Sequence, residues 1–573
     1  MRRFLVIFNL LIFIATLFFK THALENPGFS TEYDITYTVS ETGETEVSYN
    51  VVITNQSDDV IATSYALTIN QVSVYDESGI EGKNPTSVKK TIEKDNTTLK
   101  IFFNESALGK GVQKKFTIKY KTLDVASRVG RIWNINVPKS HITENTTLYN
   151  VKLEVPKNLG PKIFVSPNPA IEKEESGSTI YYFTKENLTK KGITASFGEY
   201  QILNFKLGYQ LENPSFFSRI YEIALPPDIK ELQQVSYSII KPWPQKLYVD
   251  KDGNTIARYK IAAKKKLEIE TIGSAKILAR QINPVFGGNI KNIPRGIALT
   301  YTKSQKFWET HSKPVITLEK QLYDKNLNTS ENAYKIYNFL VENLSYDIES
   351  SKKIFVERKG AYNTLTNSSS VACMEFTDTF IALARAMGIP AREINGYAFN
   401  NSDKNTPVSI NLKSGDTLHA WAEYYDPKFG WVQIDPTWGN TSKGIDYFSK
   451  LDTNHFAFVI KGKSSEYPLP AGMYRTDENE KLIQVDFSQN VNSNLNFQEK
   501  LVLHKKFNFN PIQILFGRKK YSLENEGKVF VYIFGKPLAP SQSRTIYLPR
   551  NSTNVTYETF EGSEIERDLI NTN

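Results

Sequence analysis

Sulfur is scarce in this chain of 573 residues, which contains one cysteine, Cys373, and four methionines. A single cysteine excludes any disulfide within the chain, so apolar cores and hydrogen bonds must hold its domains together. The six histidines are scattered and, with one cysteine, supply no set of zinc ligands. We therefore predict no metal and no other cofactor. A free cysteine is commonly a buried core residue, and the alternative is that Cys373 is retained for its reactivity.

Long runs of charged or apolar residues are equally few. The formal net charge is +9, and the densest basic segment, Lys264–Lys266, is short. The chain has no basic block of the kind that binds nucleic acid, so no nucleic-acid partner is predicted. Beyond residue 23 there is no apolar stretch of the roughly 20 residues that a membrane-spanning helix needs.

One apolar run, residues 4–19, follows Arg2 and Arg3 and precedes a small-residue cleavage site after Ala23. This order is typical of a secretory signal peptide, here residues 1–23. We expect an exported protein that is extracellular or associated with the cell envelope. An uncleaved signal anchor is the alternative, and it would be the only predicted connection of the chain to a membrane.

The length predicts several domains, because a single hydrophobic core stops growing at about 250–300 residues. Alternating segments rich in Tyr, Thr, Val and Ile predict strands, as in the hairpin formed by Tyr33–Ser40 and Thr45–Thr54. Three β regions follow from such segments: a β-sandwich-like domain at 24–205, a second β domain at 206–300 and a C-terminal β module at 461–573. The second β domain is either a spacer or part of a substrate platform.

The hydrophobic period changes near residue 301, where a further domain, residues 301–460, is predicted to begin. Helical spacing over residues 330–345 predicts an amphipathic helix capped by Thr329 or Ser330. The apolar positions that carry this period are Ala333, Ile336, Tyr337, Leu340, Val341 and Leu344.

Cys373 is predicted to lie at the start of a second helix. Helical spacing continues from Phe376 to Met387, and Gly388 and Pro390 form a C-terminal stop. The positive end of the helix dipole favours the thiolate form of a cysteine, so this position suits a nucleophile.

A predicted hairpin carries a histidine and an aspartate. Residues 418–425 and 431–435 alternate on either side of a turn at residues 426–430. If Tyr424 lies opposite Gly430, then His419 lies opposite Asp435; a slip of two residues makes them diagonal neighbours on one face. Cys373 would then attack a carbonyl, His419 would take and return the proton, and Asp435 would orient the imidazole.

These segments resemble the bacterial transglutaminase-like superfamily, which is related to the papain-fold cysteine peptidases. The motifs are Cys373–Phe376 (CMEF), Ala384–Arg392 (ARAMGIPAR), His419–Glu423 (HAWAE) and Gly430–Trp438 (GWVQIDPTW). The resemblance covers residues 301–460 and implies a papain-like α+β fold, a catalytic triad of Cys373, His419 and Asp435, and thioester chemistry on amides. The family includes acyl transferases, amide hydrolases and inactive relatives, and the intact triad argues against the last. No calcium site of the animal enzymes has a counterpart.

Further residues are predicted around this site. The backbone N–H of Cys373 is a candidate oxyanion donor, and Tyr362 is a candidate for the second. Trp421, Trp431 and Trp438 either wall a substrate cleft or pack in the core. The polar segment 400–416 is either a flap over the substrate or an ordinary loop.

Two functions are compatible with the sequence. The first is an exported thiol enzyme that acts on protein or peptide amides, with cell-envelope components among its partners. The second is a cell-surface adhesion or scaffold protein in which the transglutaminase-like domain is vestigial. The intact Cys, His and Asp favour the enzyme, whereas the many β segments favour the scaffold.

Overall fold

In the computed structural model, strand is the most frequent secondary structure of the described residues. The described residues are 28–70, 72–93, 96–138, 142–189, 192–347, 357–367, 371–399, 410–411, 415–442, 446–488, 497–534, 536–552, 554–560 and 564–568. The predicted signal peptide and nearly all of the predicted flap lie outside these ranges. No helix within them is long and apolar enough to cross a membrane.

The chain divides into two compact units. The first contains the described parts of Met1–Val125, Pro138–Pro156 and Pro169–Thr189, and the second contains those of Ala126–Val137, Lys157–Asn168 and Lys190–Asn573. The strands up to residue 197 are β1 (Phe29–Val39), β2 (Thr45–Asn55), β3 (Ile61–Asn70), β4 (Tyr75–Glu81), β5 (Asn84–Thr86), β6 (Val88–Glu93), β7 (Asn96–Leu108), β8 (Gln113–Thr122), β9 (Ala126–Val129), β10 (Ile132–Val137), β11 (Thr146–Pro156), β12 (Lys162–Ser166), β13 (Ile171–Glu174), β14 (Ser178–Phe183) and β15 (Ile193–Phe197), with the short helix α1 (Lys185–Leu188) between the last two.

The first unit consists of an eight-stranded sheet, in the order β13-β14-β11-β1-β2-β8-β4-β5, and a three-stranded sheet, β3-β7-β6. The predicted hairpin of β1 and β2 is confirmed, with Val39 opposite Thr45 at the turn. Buried and exposed residues alternate along β2, as expected for a sheet with one face on the core. Strand β1 also pairs with β11 in the parallel direction.

The second unit begins with the sheet β12-β15-β10-β9 and continues with the elements around the candidate site. Its later strands are β16 (Tyr200–Glu212), β17 (Arg219–Leu225), β18 (Gln233–Lys241), β19 (Lys246–Val249), β20 (Thr255–Ile261), β21 (Lys266–Leu278), β22 (Arg280–Gln281), β23 (Ala391–Ala398), β24 (Ile410–Asn411), β25 (Thr417–Asp426), β26 (Gly430–Ile434), β27 (Lys450–Leu451), β28 (His455–Lys461) and β29 (Ile483–Phe487). Its helices up to residue 441 are α2 (Arg295–Tyr301), α3 (Lys313–Leu322), α4 (Thr329–Asn343), α5 (Gly360–Thr366), α6 (Cys373–Ala386) and α7 (Pro436–Thr441).

A β domain precedes the helices. Its sheets are β18-β21-β16-β29 and β17-β20-β19, and their buried faces form one core with residues of β28 such as Phe456. The predicted boundary between residues 205 and 206 falls inside β16. Strand β29, which the sequence grouped with the C-terminal module, instead pairs with β16, with Leu207 opposite Ile483.

The α+β domain packs α3 to α6 on a sheet in which β25 lies between β23 and β26 and β23 also pairs with β28. Helix α4 forms where the period predicted it, but its cap is Asn328 rather than Thr329 or Ser330. The Asn328 side chain accepts from the Glu331 N–H, and Glu331 accepts from the Asn328 N–H, which forms a capping box. Ser330 is buried and donates to Asp426 instead.

The C-terminal strands are β30 (Leu501–Lys506), β31 (Arg518–Asn525), β32 (Val531–Ile533), β33 (Lys536–Leu538), β34 (Ser543–Pro549), β35 (Asn554–Glu558) and β36 (Glu564–Asp568), and the short helix α8 (Pro511–Leu515) lies between the first two. They form the sheets β30-β31-β34 and β33-β32-β35-β36 around a shared core that includes Leu503 and Leu523. These strands lie within the segment 461–573 that the sequence predicted to be a C-terminal β module.

Candidate active site

Cys373 is the first residue of α6 and is fully buried. The carboxylate of Glu375 fixes this end of the helix, because it accepts hydrogen bonds from the N–H groups of Ala372 (2.9 Å) and Lys359 (3.1 Å). Burial raises the pKa of Glu375 against the effect of these two donors. The thiol therefore lies at the positive end of a helix of 14 residues, as the sequence predicted.

The hairpin of β25 and β26 places His419 diagonal to Asp435. The expected register, with Tyr424 opposite Gly430, is wrong by two residues, because Asp426 lies opposite Gly430. The reason is local: Asp426 Oδ1 accepts from the N–H groups of Lys428 and Phe429 and so holds the turn. His419 Nε2 still reaches Asp435 Oδ2, at 2.8 Å.

Asp435 is held by more than one group. It follows β26 directly and caps α7, where its Oδ1 accepts from the Trp438 N–H at 3.0 Å. Burial alone would raise the pKa of Asp435, but His419 and then His455 hold it well below its usual range. The carboxylate is therefore ionised and serves as an acceptor only.

The second ring nitrogen of His419, Nδ1, is not used by Asp435. This nitrogen makes no hydrogen bond within the described residues, and Cys373 lies close enough to affect the imidazole without meeting hydrogen-bond geometry. Burial lowers the pKa of His419. The opposing effects of Asp435 and then Cys373 are larger and raise this pKa to about 9. The imidazolium is the stable form at neutral pH.

His455 is a site residue that the sequence did not reveal. Its Nε2 lies 3.1 Å from the same Asp435 Oδ2, and its Nδ1 lies 2.8 Å from Asp452 Oδ1. Each ring nitrogen faces a carboxylate oxygen, so each must carry a proton, and the ring is a cation. Burial lowers the pKa of His455, but Asp452 and Asp435 raise it to about 9.

Gly396 lets β28, the strand that begins with His455, approach β23, which pairs with the strand of His419. It lies on β23, opposite His419 on one side and Ala457 on the other. A Cβ atom at this position would lie 2.0 Å from the carbonyl oxygen of Phe456. Only glycine allows this close approach, which brings the start of β28 to the end of β26.

Two of the predicted cleft residues lie beside the histidines. The buried rings of Trp421 and Trp438 have their centroids 6.0 and 5.6 Å from His419, and 5.1 and 4.3 Å from His455. The Trp421 indole N–H donates to Gln433 at 3.0 Å, which fixes its ring. Aromatic faces at these distances stabilise a cationic imidazole.

The other two are not brought to the histidines. Trp431 packs 3.6 Å below the Arg392 guanidinium and against the rings of Tyr301 and Tyr425, at the far end of the hairpin. Its predicted role as a cleft residue stays a prediction. Tyr362 lies on α5 with 45% of its surface exposed, so its predicted role as an oxyanion donor stays a prediction.

The ligand atoms of His419, Asp435 and His455 lie within 4.8 Å of one another, as a metal site would require. Hydrogen bonds already account for these close approaches, because both nitrogens of His455 face carboxylate oxygens. The separations of 2.8 and 3.1 Å are those of hydrogen bonds.

Comparison with known proteins agrees with this architecture. Residues 316–436, which include Cys373, His419 and Asp435, match the family described as the Transglutaminase-like superfamily. The chain carries a transglutaminase-like domain.

Two curated relatives each match a short part of the chain. The protein YebA of Bacillus subtilis is 35% identical over 83 residues, and a protein-glutamine gamma-glutamyltransferase of Pseudomonas aeruginosa is 33% identical over 79 residues. Each match covers 14% of this chain, and only 11% and 12% of those two proteins. The periplasmic domain of TgpA from Pseudomonas aeruginosa aligns with 15% identity and a TM-score of 0.24, over 43% of this chain and 91% of that one.

Proposed function

We propose that the chain is an exported thiol enzyme that forms a thioester with the acyl group of protein or peptide amides. One observation carries the proposal: His419 is held by Asp435 through Nε2, while its Nδ1 has no partner among the described residues and is left for the thiol of Cys373 at the start of α6. This is the arrangement that an activated thiol nucleophile requires.

The reaction uses each group in turn. His419 Nδ1 holds the thiol proton, and the Cys373 thiolate attacks the amide carbon, so that the carbonyl electron pair moves to oxygen. The backbone N–H of Cys373, at the first position of α6, has no acceptor within the helix and can stabilise this oxyanion. His419 then returns its proton to the leaving nitrogen, the C–N bond breaks, and a thioester remains for water or an amine to resolve.

Asp435 and His455 keep the His419 imidazole in the tautomer and orientation that the reaction needs. Asp435 accepts from His419 Nε2, which leaves Nδ1 for the proton of Cys373. The second donor, His455, holds the same carboxylate oxygen in place from the other side. No other carboxylate hydrogen-bonds to His419 in the described part of the chain.

A cell-surface scaffold with a vestigial domain is the second candidate. The observation that favours it is the complete burial of Cys373, since a substrate must reach the sulfur before any thioester can form. The two candidates predict opposite behaviour of this thiol toward reagents and substrates.

An assay of acyl transfer separates the two. The purified exported form should release ammonia from glutamine peptides or incorporate a labelled amine into them, and Cys373→Ala should do neither. Iodoacetamide should alkylate Cys373 faster than a free thiol, because an adjacent imidazole base activates a cysteine nucleophile. Slow alkylation, together with no reaction on a broad peptide panel, would identify the scaffold. Ammonia release without amine incorporation would instead identify an amide hydrolase.

The pH dependence of the amide reaction should show whether His455 carries a positive charge. In the unchanged protein the amide reaction should decline as the pH rises through about 9, because the raised pKa of His419 marks where its proton for the leaving group is lost. His455→Gln keeps a donor for Asp435 but removes a positive charge whose ring centroid is 5.8 Å from His419. The decline should then shift upward by about one to two pH units.

One further variant controls this measurement. Asp452→Asn removes the carboxylate that keeps His455 charged and should shift the decline in the same direction. The groups that face His455 are Asp452, Asp435, His419 and Tyr447, together with the two tryptophan rings. A lower rate with an unmoved decline would show that His455 only supports the fold.

A further inference from the structure

The loop between β30 and β31 exposes an unusual number of large apolar side chains. We name residues 507–517 the apolar tip. Its exposed members are Phe507 (86%), Phe509 (84%), Ile512 (61%), Ile514 (54%), Leu515 (83%) and Phe516 (69%). Single exposed apolar residues are ordinary, but six within one short loop form a patch of the kind that marks an interaction site.

The polar side chains of the apolar tip are used within it. Asn508 Nδ2 donates to the Arg518 carbonyl at 2.8 Å and closes the loop. Asn510 Oδ1 accepts from the N–H groups of Ile512 and Gln513 and so starts α8. The polar groups therefore satisfy the backbone, and the apolar side chains are directed to solvent. In most surface loops, by contrast, polar side chains face the solvent.

Basic residues surround the base of the tip on both strands. Lys505 and Lys506 end β30, and Arg518, Lys519 and Lys520 begin β31. The strand register places Lys506 opposite Lys520, so the five charges form one collar. No acidic residue occurs from Leu501 to Ser522. The two basic clusters are separate in the sequence, and only the hairpin joins them.

We propose that the apolar tip inserts into an anionic lipid bilayer, with the basic collar at the level of the headgroups. An exposed apolar loop that projects from a folded domain can enter the boundary between headgroups and acyl chains, to a depth of about 5–10 Å. A collar of one charge sign complements the negative surface of such a bilayer. A groove on another protein would be lined by charges of mixed sign, and the collar has none that are negative.

This attachment is independent of the predicted N-terminal segment and of the acyl-transfer chemistry. It would hold the exported chain at a membrane surface after cleavage of residues 1–23. The prediction that a membrane is contacted only through an uncleaved N-terminus would then be incomplete.

Vesicle flotation tests the proposal on the exported form, which begins at Leu24. Vesicles of phosphatidylethanolamine and phosphatidylglycerol should carry the protein upward, whereas vesicles of phosphatidylcholine should bind it weakly, and high salt should weaken binding to the anionic vesicles. Phe509→Ser with Leu515→Ser should reduce binding at least about tenfold, because both side chains lose their burial in lipid.

A matched double variant provides the control. Ile92→Ser with Ile171→Ser removes two isoleucines that are 66% and 60% exposed, on strands far along the chain from the tip. It should bind anionic vesicles like the unchanged protein. Circular dichroism should be the same for all three proteins.

Three results would overturn the proposal. The first is no binding of the unchanged protein to anionic vesicles, and the second is equal loss of binding in the tip and control variants. The third is a lower sedimentation coefficient of the tip variant without lipid, since the tip would then be a contact between copies of this chain.

Discussion

Replacing Asp435 with asparagine should lower kcat/KM for the amide reaction about 10⁴-fold, because the amide lacks the charge that stabilises the His419 imidazolium and can turn this ring to the wrong tautomer. Asp435 accepts three N–H groups: His419 and His455 at Oδ2, and Trp438 at Oδ1. An amide has one oxygen, so whichever way the introduced side chain turns, its NH₂ group faces at least one donor. If the NH₂ group faces His419, Nε2 must become an acceptor, and the proton moves to the Nδ1 that Cys373 needs.

The same substitution elsewhere in this domain controls for general damage. Asp446 Oδ1 accepts from the Phe448 and Ser449 N–H groups, which an asparagine oxygen can also do. Asp446→Asn should therefore leave kcat/KM and the alkylation rate of Cys373 unchanged. A loss of similar size in both variants would contradict the orienting role of Asp435.

Replacing Arg358 with alanine should destabilise the transglutaminase-like domain by about 3–5 kcal/mol, because two buried carboxylates lose their shared partner. The guanidinium bonds Asp378 on α6 and Glu393 on β23 (2.6 Å to the latter), and both acids are buried. Burial raises the pKa of Asp378 to about 7, against the opposing effect of Arg358. The destabilisation should shrink as the pH falls, since protonation neutralises both acids.

Urea unfolding followed by tryptophan fluorescence measures this effect, since four of the six tryptophans lie in this domain, at positions 308, 421, 431 and 438. A surface pair provides the comparison. Lys306 contacts Glu466 at 2.7 Å, but both side chains are about half exposed, so Lys306→Ala should change stability by only about 0–1 kcal/mol. Equal changes in the two variants would show that the buried network is not what holds α6 to the sheet.

Local sequence patterns predicted two elements of the candidate site, the helix that starts at Cys373 and the hairpin that carries His419 and Asp435. The helix that starts at Cys373 could be predicted because its apolar period and its stop residues are contiguous in the sequence. The hairpin was also predicted from its turn and alternation, although its register was not. The side chain of Asp426 fixes the register, and an aspartate at a turn can cap in several ways.

His455 could not be predicted because no local pattern links it to Asp435. The two residues lie close together because β28 joins the sheet beside β23. Gly396 on β23 lets these two strands approach each other closely. The pairing of β29 with β16 is equally non-local. Each of these depends on strand order, which composition and period do not specify.

The pairing of β16 with β29 also determines when one sheet of the protein can be completed during synthesis and folding. The transglutaminase-like domain lies, in sequence, between β21 and β29 of a single sheet. As the chain emerges from the ribosome or crosses a membrane, β16 has no partner on that edge until the whole transglutaminase-like domain has followed. The unpaired edge is open to wrong pairing during this interval. Completion of this sheet is thus one of the last steps of folding, and a chain that stops before residue 483 can never reach it.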